Sequence, residues 1–259
     1  SLSFVIDQGD DTLPIDGHSV TVSSDAMGTL VFHGEGGSSA ASALDTTAAG
    51  DMWDNFNSNG GVTVSDSGPG DNSLMYTLPT LVDGLAVSVS YNPQISSGAT
   101  ASTAGNGAEL GYSATYTGVE GLSVSYGITD LDRVGAVAGV SNVAKGEQSA
   151  WKASYAYGSV TVSASNSEYD IAGTASDEEN ESYSIAYTVS DAISIGYGTE
   201  TLKSGSTTDT DAEYDGFNAS YTAGGMTVSA KMQDGKNISN TTAAAEQVEY
   251  YSLGLSFAF

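Results

Sequence analysis

The amino-acid sequence predicts an all-β fold, a transmembrane up-and-down antiparallel β-barrel, and three observations predict it. The hydropathy period is two from end to end, which suits strands and not helices. One set of alternate positions is apolar or aromatic, whereas the other is Ser, Gly, Ala and Thr, not the long charged residues that a sandwich turns to water. Connections alternate between short turns and long acidic loops, which places the turns at one end of a meander and the loops at the other.

Taken in order, the chain opens already alternating, Ser1-Leu2-Ser3-Phe4-Val5-Ile6, so a processed or incompletely represented start is expected. Residues 26–32 and 73–78 read as strands, with a break of roughly forty residues between them that is unusual for a compact domain. Residues 85–91 alternate strictly. Later stripes are Leu110 to Tyr116, Leu122 to Ile128, Trp151 to Tyr157, Val160 to Ala164, Tyr183 to Tyr187, Ile193 to Tyr197, Phe217 to Tyr221 and Val228 to Met232. Tyr251, Leu253, Leu255, Phe257 and Phe259 close the chain. This gives about fourteen strands, most near the length a tilted strand needs to cross a bilayer. Only barrel closure satisfies the backbone of such strands in lipid. The 15 tyrosines gather near strand ends, as an interfacial girdle requires.

Composition narrows the function. There are 32 acids against six bases, a net charge of −26, which repels phosphate backbones and excludes nucleic acid while attracting cations. Cysteine is absent and the only histidines are His18 and His33, so thiolate and histidine-cluster metal sites are excluded within one chain. No apolar run reaches the length of a membrane helix. The sequence has no Gly-x-Ser-x-Gly elbow, no phosphate loop and no His-Glu-x-x-His, so nothing points to an enzyme.

Two stretches resemble the general diffusion porins of Gram-negative outer membranes. One is Asp25-Ala26-Met27-Gly28-Thr29-Leu30-Val31-Phe32 before the long break, followed by residues 71–91 with their Leu81-Val82-Asp83-Gly84-Leu85 turn. The other is the alternating C-terminus from Tyr251 to Phe259. The resemblance implies that residues 1–259 are one outer-membrane barrel, with 33–72 an inserted constriction loop. It implies passive diffusion of small hydrophilic solutes and cations, a homotrimer in outer-membrane lipid and no enzymatic activity. Phe257 and Phe259 then match the family's assembly signal. The family has about sixteen strands, with this loop between the fifth and sixth. Here it falls between the third and fourth of about fourteen, so two leading strands are expected to be missing from this sequence.

Within that resemblance, Glu35, Asp45, Asp51 and Asp54 are expected to form a cation-favouring constriction, because carboxylates lower the energy of a cation in a narrow pore. His33 should point into the lumen, and Trp53 and Phe56 should anchor the loop to the wall. Lys152 and Lys231 alternate with apolar neighbours, so they should face inward and pair with loop acids. The family's wall arginines have no counterpart on a strand, since Arg133 reads as a loop residue. No cofactor is expected, apart from a weak calcium-loop pattern at Asp209, Asp211 and Asp215 that lacks a closing ligand. The competing reading is a secreted calcium-binding β-sandwich, or a surface-layer or adhesin protein, which explains the acidity but not the stripe of small residues.

Overall fold

Period-two alternation becomes fourteen strands in one antiparallel sheet, each joined to the next in chain order. The first seven are Leu2–Val5 (β1), Gly17–Ser24 (β2), Gly28–Glu35 (β3), Ser73–Thr77 (β4), Leu85–Asn92 (β5), Gly105–Tyr116 (β6) and Leu122–Val134 (β7). Lys145–Tyr157 (β8), Val160–Ile171 (β9), Glu178–Ser190 (β10), Ile193–Lys203 (β11), Ala212–Ala223 (β12), Met226–Lys236 (β13) and Gln247–Phe257 (β14) follow. The structure, a computed structural model, describes residues 2–5, 17–35, 37, 39–44, 46–56, 72–93, 105–134, 145–171, 178–203, 210–238, 240 and 247–258. Among them no ladder joins β1 to β14.

The short turns all lie at one end of the sheet. Gly121 shows why glycine sits there: its φ is +76°, and a Cβ would come within 2.2 Å of the Ala156 carbonyl oxygen. The long connections, β1–β2, β3–β4 and every second one after that, lie at the other end.

The ladders hold their register apart from shifts near strand ends, at Thr188/Ser190, His18/Ser19 and Asn106/Glu109, so the two faces stay separate across the middle of the sheet. Val162 is paired with Ile185, Ile195 with Ala219, and Ala230 with Leu253. This apolar face is open: Ile195 is 46%, Phe217 56% and Leu253 79% exposed. Water would not tolerate so large an apolar surface, but hydrocarbon solvates it. On the opposite face, hydroxyls bond across strands, as in Thr115–Ser125 at 2.9 Å and Ser194–Ser220 at 2.7 Å. That face is the interior.

No second sheet covers either face among the described residues, which removes the β-sandwich reading. Buried apolar side chains instead form two clusters where the β3–β4 connection meets the wall: Met52, Trp53, Phe56, Leu202, Ala212 and Tyr214, and then Ala41, Leu44 and Ala150. Two further expectations change. Arg133 belongs to β7, because pairing with β6 runs on to Val134. Asp215 lies in β12 and Asp211 immediately before it, so extended backbone spreads them along a strand instead of curling them round an ion. Asp209 lies outside the described residues, and the described ones hold no group of three potential metal ligands.

Adjacent positions on β9 test the assignment of faces. Val162→Lys would put an ammonium on the lipid side and is expected to cost about 2 kcal/mol or more near the midplane. Ser163→Lys, pointing inward, is expected to cost less than about 1 kcal/mol. Urea unfolding in lipid vesicles measures both. Equal costs would contradict the two-faced sheet.

Candidate functional site

The site is built by the connection after β3, whose described stretches, residues 39–44 and 46–56, do not pass outward over the rim. It runs along the interior wall and meets successive strands in order. Ala40 N–H donates to Ser90 Oγ on β5 at 2.8 Å. Ala41 and Leu44 pack on β7 and β8, where a Cβ at Gly127 would come within 2.7 Å of Leu44 Cδ1. Ala48 N–H donates to Ser165 Oγ on β9 at 2.8 Å, and Ser184 Oγ on β10 donates back to the Ala48 carbonyl at 2.7 Å. Beyond β11, Asn55 Nδ2 reaches Gln233 Oε1 on β13 at 2.9 Å. Small interior residues therefore have a second use: serines supply acceptors for loop backbone that has no ladder of its own, and glycines let it approach. Gly198 shows the closeness, since a Cβ there would lie 2.7 Å from that of Ala49.

At the centre stands Glu200 of β11, 1% exposed. Its Oε2 accepts the Met52 N–H at 2.7 Å. Its Oε1 accepts the hydroxyls of Thr47 and of Ser182. Each hydroxyl passes on further donors: Thr47 Oγ1 accepts from Gly50 N–H at 3.1 Å and Asp51 N–H at 3.0 Å, and Ser182 Oγ accepts from Ala49 N–H at 2.9 Å. Four consecutive amides, 49 to 52, thus converge on one carboxylate. Positive φ at Gly50 (86°) and Asp51 (53°) curls the backbone into the concavity that such convergence requires.

The expected site residues fall as follows. Asp51 is half-buried, its Oδ1 accepting Thr47 N–H at 3.0 Å. Burial holds its carboxyl above the usual aspartate range, against the lowering effect of the Thr47 hydrogen bonds, while Asp54 raises it and Lys152 lowers it further. Asp54 is exposed on the 3-10 turn Met52–Phe56. Trp53 and Phe56 lie at 3% and 6% exposure, the Phe56 ring 5.3 Å from that of Tyr214 on β12 and 6.2 Å from that of Tyr250 on β14. His33 takes the interior parity of β3, opposite Ser73. Lys152 faces inward, and among the described residues its Nζ donates to the carbonyls of Thr46 (3.0 Å) and Thr47 (3.2 Å), which pass directly over it. Lys231 shares the interior parity of Asn218 and Ser252, its register partners. Phe257 is exposed at the end of β14. Asp45, Phe259 and the Glu35 side chain lie outside the described residues.

Sequence reasoning missed Glu200, Thr47 and Ser182. The available signal was parity: Glu200 continues the interior series Gly196, Gly198, and an unpaired acid on a small-residue face needs donors. The wall cluster suggests a packing test. Trp53→Ala is expected to cost about 3 kcal/mol or more in loop docking, read as faster proteolysis within residues 39–56 on intact barrels. Unchanged cleavage would show that the ring does not hold the loop.

Comparison with known proteins follows from this geometry. A family model described as Gram-negative porin matches residues 1–214. No curated protein sequence matches. Among solved structures, an anion-selective porin from Comamonas acidovorans superposes with a TM-score of 0.67 at 16% identity, covering 94% of this chain and 77% of that one. OmpF of Salmonella typhi in complex with daunomycin gives 0.61 at 15% identity over 93% and 78%. The trimer form of OmpT, an outer membrane protein of Vibrio cholerae, gives 0.54 at 17% identity over 96% and 84%. At these identities the likeness is one of fold.

Proposed function

The chain belongs to the Gram-negative porin family and is a β-barrel of the bacterial outer membrane, and from that premise we propose that it is a diffusion channel for small hydrophilic solutes, narrowed by residues 33–72 and preferring cations. The observation that carries this reading is the course of residues 39–56 along the interior wall, held by Glu200 and by hydroxyls from β5, β9 and β10. A loop fixed there reduces the open cross-section and brings Asp51 and Asp54 to the solute path. In sequence Glu35 precedes the same segment, Asp45 falls within it, and His33 leads into it. Trp53 and Phe56 serve as its anchor, and Lys152 as a clamp on its backbone. Phe257 and Phe259 serve as the assembly signal.

Cation preference follows from charge. The described interior carries Asp51 and Asp54 on the loop, and the Lys152 ammonium there already sits against two carbonyl oxygens. Carboxylates at a constriction favour counter-ions through a field that salt screens. A solved porin of similar fold is anion-selective, so the cation preference proposed here rests on the residues at the loop and not on the fold. Homotrimeric assembly belongs to the proposal, supported by the trimer form of a structural neighbour.

Planar-bilayer recording tests the reading. Stepwise conductance in KCl is expected, with a reversal potential in a KCl gradient whose sign favours K⁺. A reversal favouring Cl⁻ would overturn the selectivity, and no conductance would overturn the channel.

A further inference from the structure

Beneath the loop, the interior wall between β10 and β13 opens into a niche of about 120 Å³. Loop residues Ala48, Ala49 and Met52 roof it, and Gly196, Gly198 and Gly216 flatten its back wall. The volume holds about four waters at ~30 Å³ each, or a carboxylate group with a short carbon chain. Its remaining lining mixes Ile185, Ala186 and Phe217 with polar Ser184, Asn218 and Gln233, and Lys231 supplies the only charge there.

That ammonium differs from the protein's other described cations. Lys203 is paired with Glu179 and Glu181, at 3.2 and 2.7 Å, and Lys236 approaches Glu213 at 3.8 Å. Lys152 is held by two loop carbonyls. Lys231 has no hydrogen bond or ion pair among the described residues, although it stands directly opposite Asn218 in the β12–β13 ladder. Asn218 folds over Gly196, where a Cβ would meet its Oδ1 at 2.8 Å, and its amide is likewise unengaged among the described residues. An uncommitted ammonium and an uncommitted amide N–H₂, side by side next to a back wall of glycines, are the donors a planar carboxylate accepts.

We infer that this niche is a subsite for small carboxylate-bearing solutes, with Lys231 and Asn218 as the donors and the glycine wall as the surface the carbon chain lies on. The inference rests on the channel reading and goes beyond it, by giving an otherwise cation-preferring pore a place that holds an anionic group in transit. No bond is made or broken: the solute exchanges water for two charge-assisted contacts and leaves again.

Single-channel recording in KCl with added sodium glutarate tests it. Wild-type channels are expected to show brief current interruptions whose frequency rises with glutarate concentration. Glutaramide, uncharged and of the same size, is expected to produce none. Lys231→Gln should weaken the block about tenfold or more, the loss of one charge-assisted contact, while Lys231→Arg retains it. Asn218→Ala should weaken it by a smaller factor. Open channels without glutarate block, equal block by glutaramide, or undiminished block in Lys231→Gln overturn the subsite and leave the channel standing. Absence of conductance in every protein overturns both.

Discussion

Glu200→Ala is expected to release the loop from the wall: single-channel conductance rises, the open current becomes noisy, and liposome swelling admits sugars that wild-type channels exclude. The size of the effect follows from the donors left behind. Met52 N–H, Thr47 Oγ–H and Ser182 Oγ–H all point at the carboxylate, and with it removed they face an apolar gap next to Tyr214 and Leu202. A hydrogen bond to a charged acceptor contributes about 1.5–3 kcal/mol and a buried orphan donor costs about 1–3. Because one acceptor serves all three donors, these figures do not add; about 3 kcal/mol for the set is the working expectation. That is roughly a hundredfold change in the ratio of seated to unseated loop.

The conservative variant sharpens the test. In Glu200→Gln one oxygen becomes an NH₂ group. If the amide oxygen stays with Met52 N–H, the NH₂ faces Thr47 Oγ1, whose lone pairs already accept from Gly50 and Asp51. If it turns the other way, two N–H groups confront each other at Met52. Either orientation leaves a donor opposed, so Gln is expected to fall between wild type and Ala. Glu213→Ala, an exposed acid on the neighbouring strand, should leave conductance and solute cut-off unchanged. Wild-type conductance and cut-off in Glu200→Ala would show that the loop is held by its apolar anchors alone.

How much of this was legible beforehand divides along a physical line. Strand identity and face were readable because a period of two is local: Val160-Thr161-Val162-Ser163-Ala164 states its own geometry, and the turn glycines mark where it reverses. The long break and its strand neighbours were readable by length. The path of that break was not, because its contacts join residues far apart in sequence, such as Thr47 with Glu200 or Asn55 with Gln233. Alternation shows that Ser90, Ser165 and Ser182 face inward, but not that they meet backbone amides in place of water. Lys152 illustrates the same limit. Its direction followed from parity, yet its partners are carbonyls, and a carbonyl carries no signature in a sequence. Arg133 erred the other way, since the strict alternation fades after Asp130 and looked like loop while the ladder with β6 still had partners to offer.

Neutralising the loop acids together, Asp51→Asn with Asp54→Asn, is expected to lower the cation-to-anion permeability ratio about fourfold or more. Even with water-like screening, a unit charge about 5 Å from a passing ion is worth about 0.8 kcal/mol, a factor of about four, and the half-buried setting of Asp51 raises this. Salt supplies an internal control. The difference between variant and wild type should be large in 0.1 M KCl and shrink in 1 M, as the Debye length falls from about 10 Å to about 3 Å. Lowering pH should imitate the substitution. Because burial holds the Asp51 carboxyl above the usual aspartate range, its charge is fully present only above that raised value and is lost as pH falls through it. In Asp54→Asn channels, which keep Asp51, the remaining cation preference should therefore decline at a pH higher than an ordinary aspartate would give. Reversal potentials across a KCl gradient, taken stepwise from pH 8 to pH 4, measure both effects. A permeability ratio that neither the double variant nor acidification moves would place the selecting charges elsewhere in the pore.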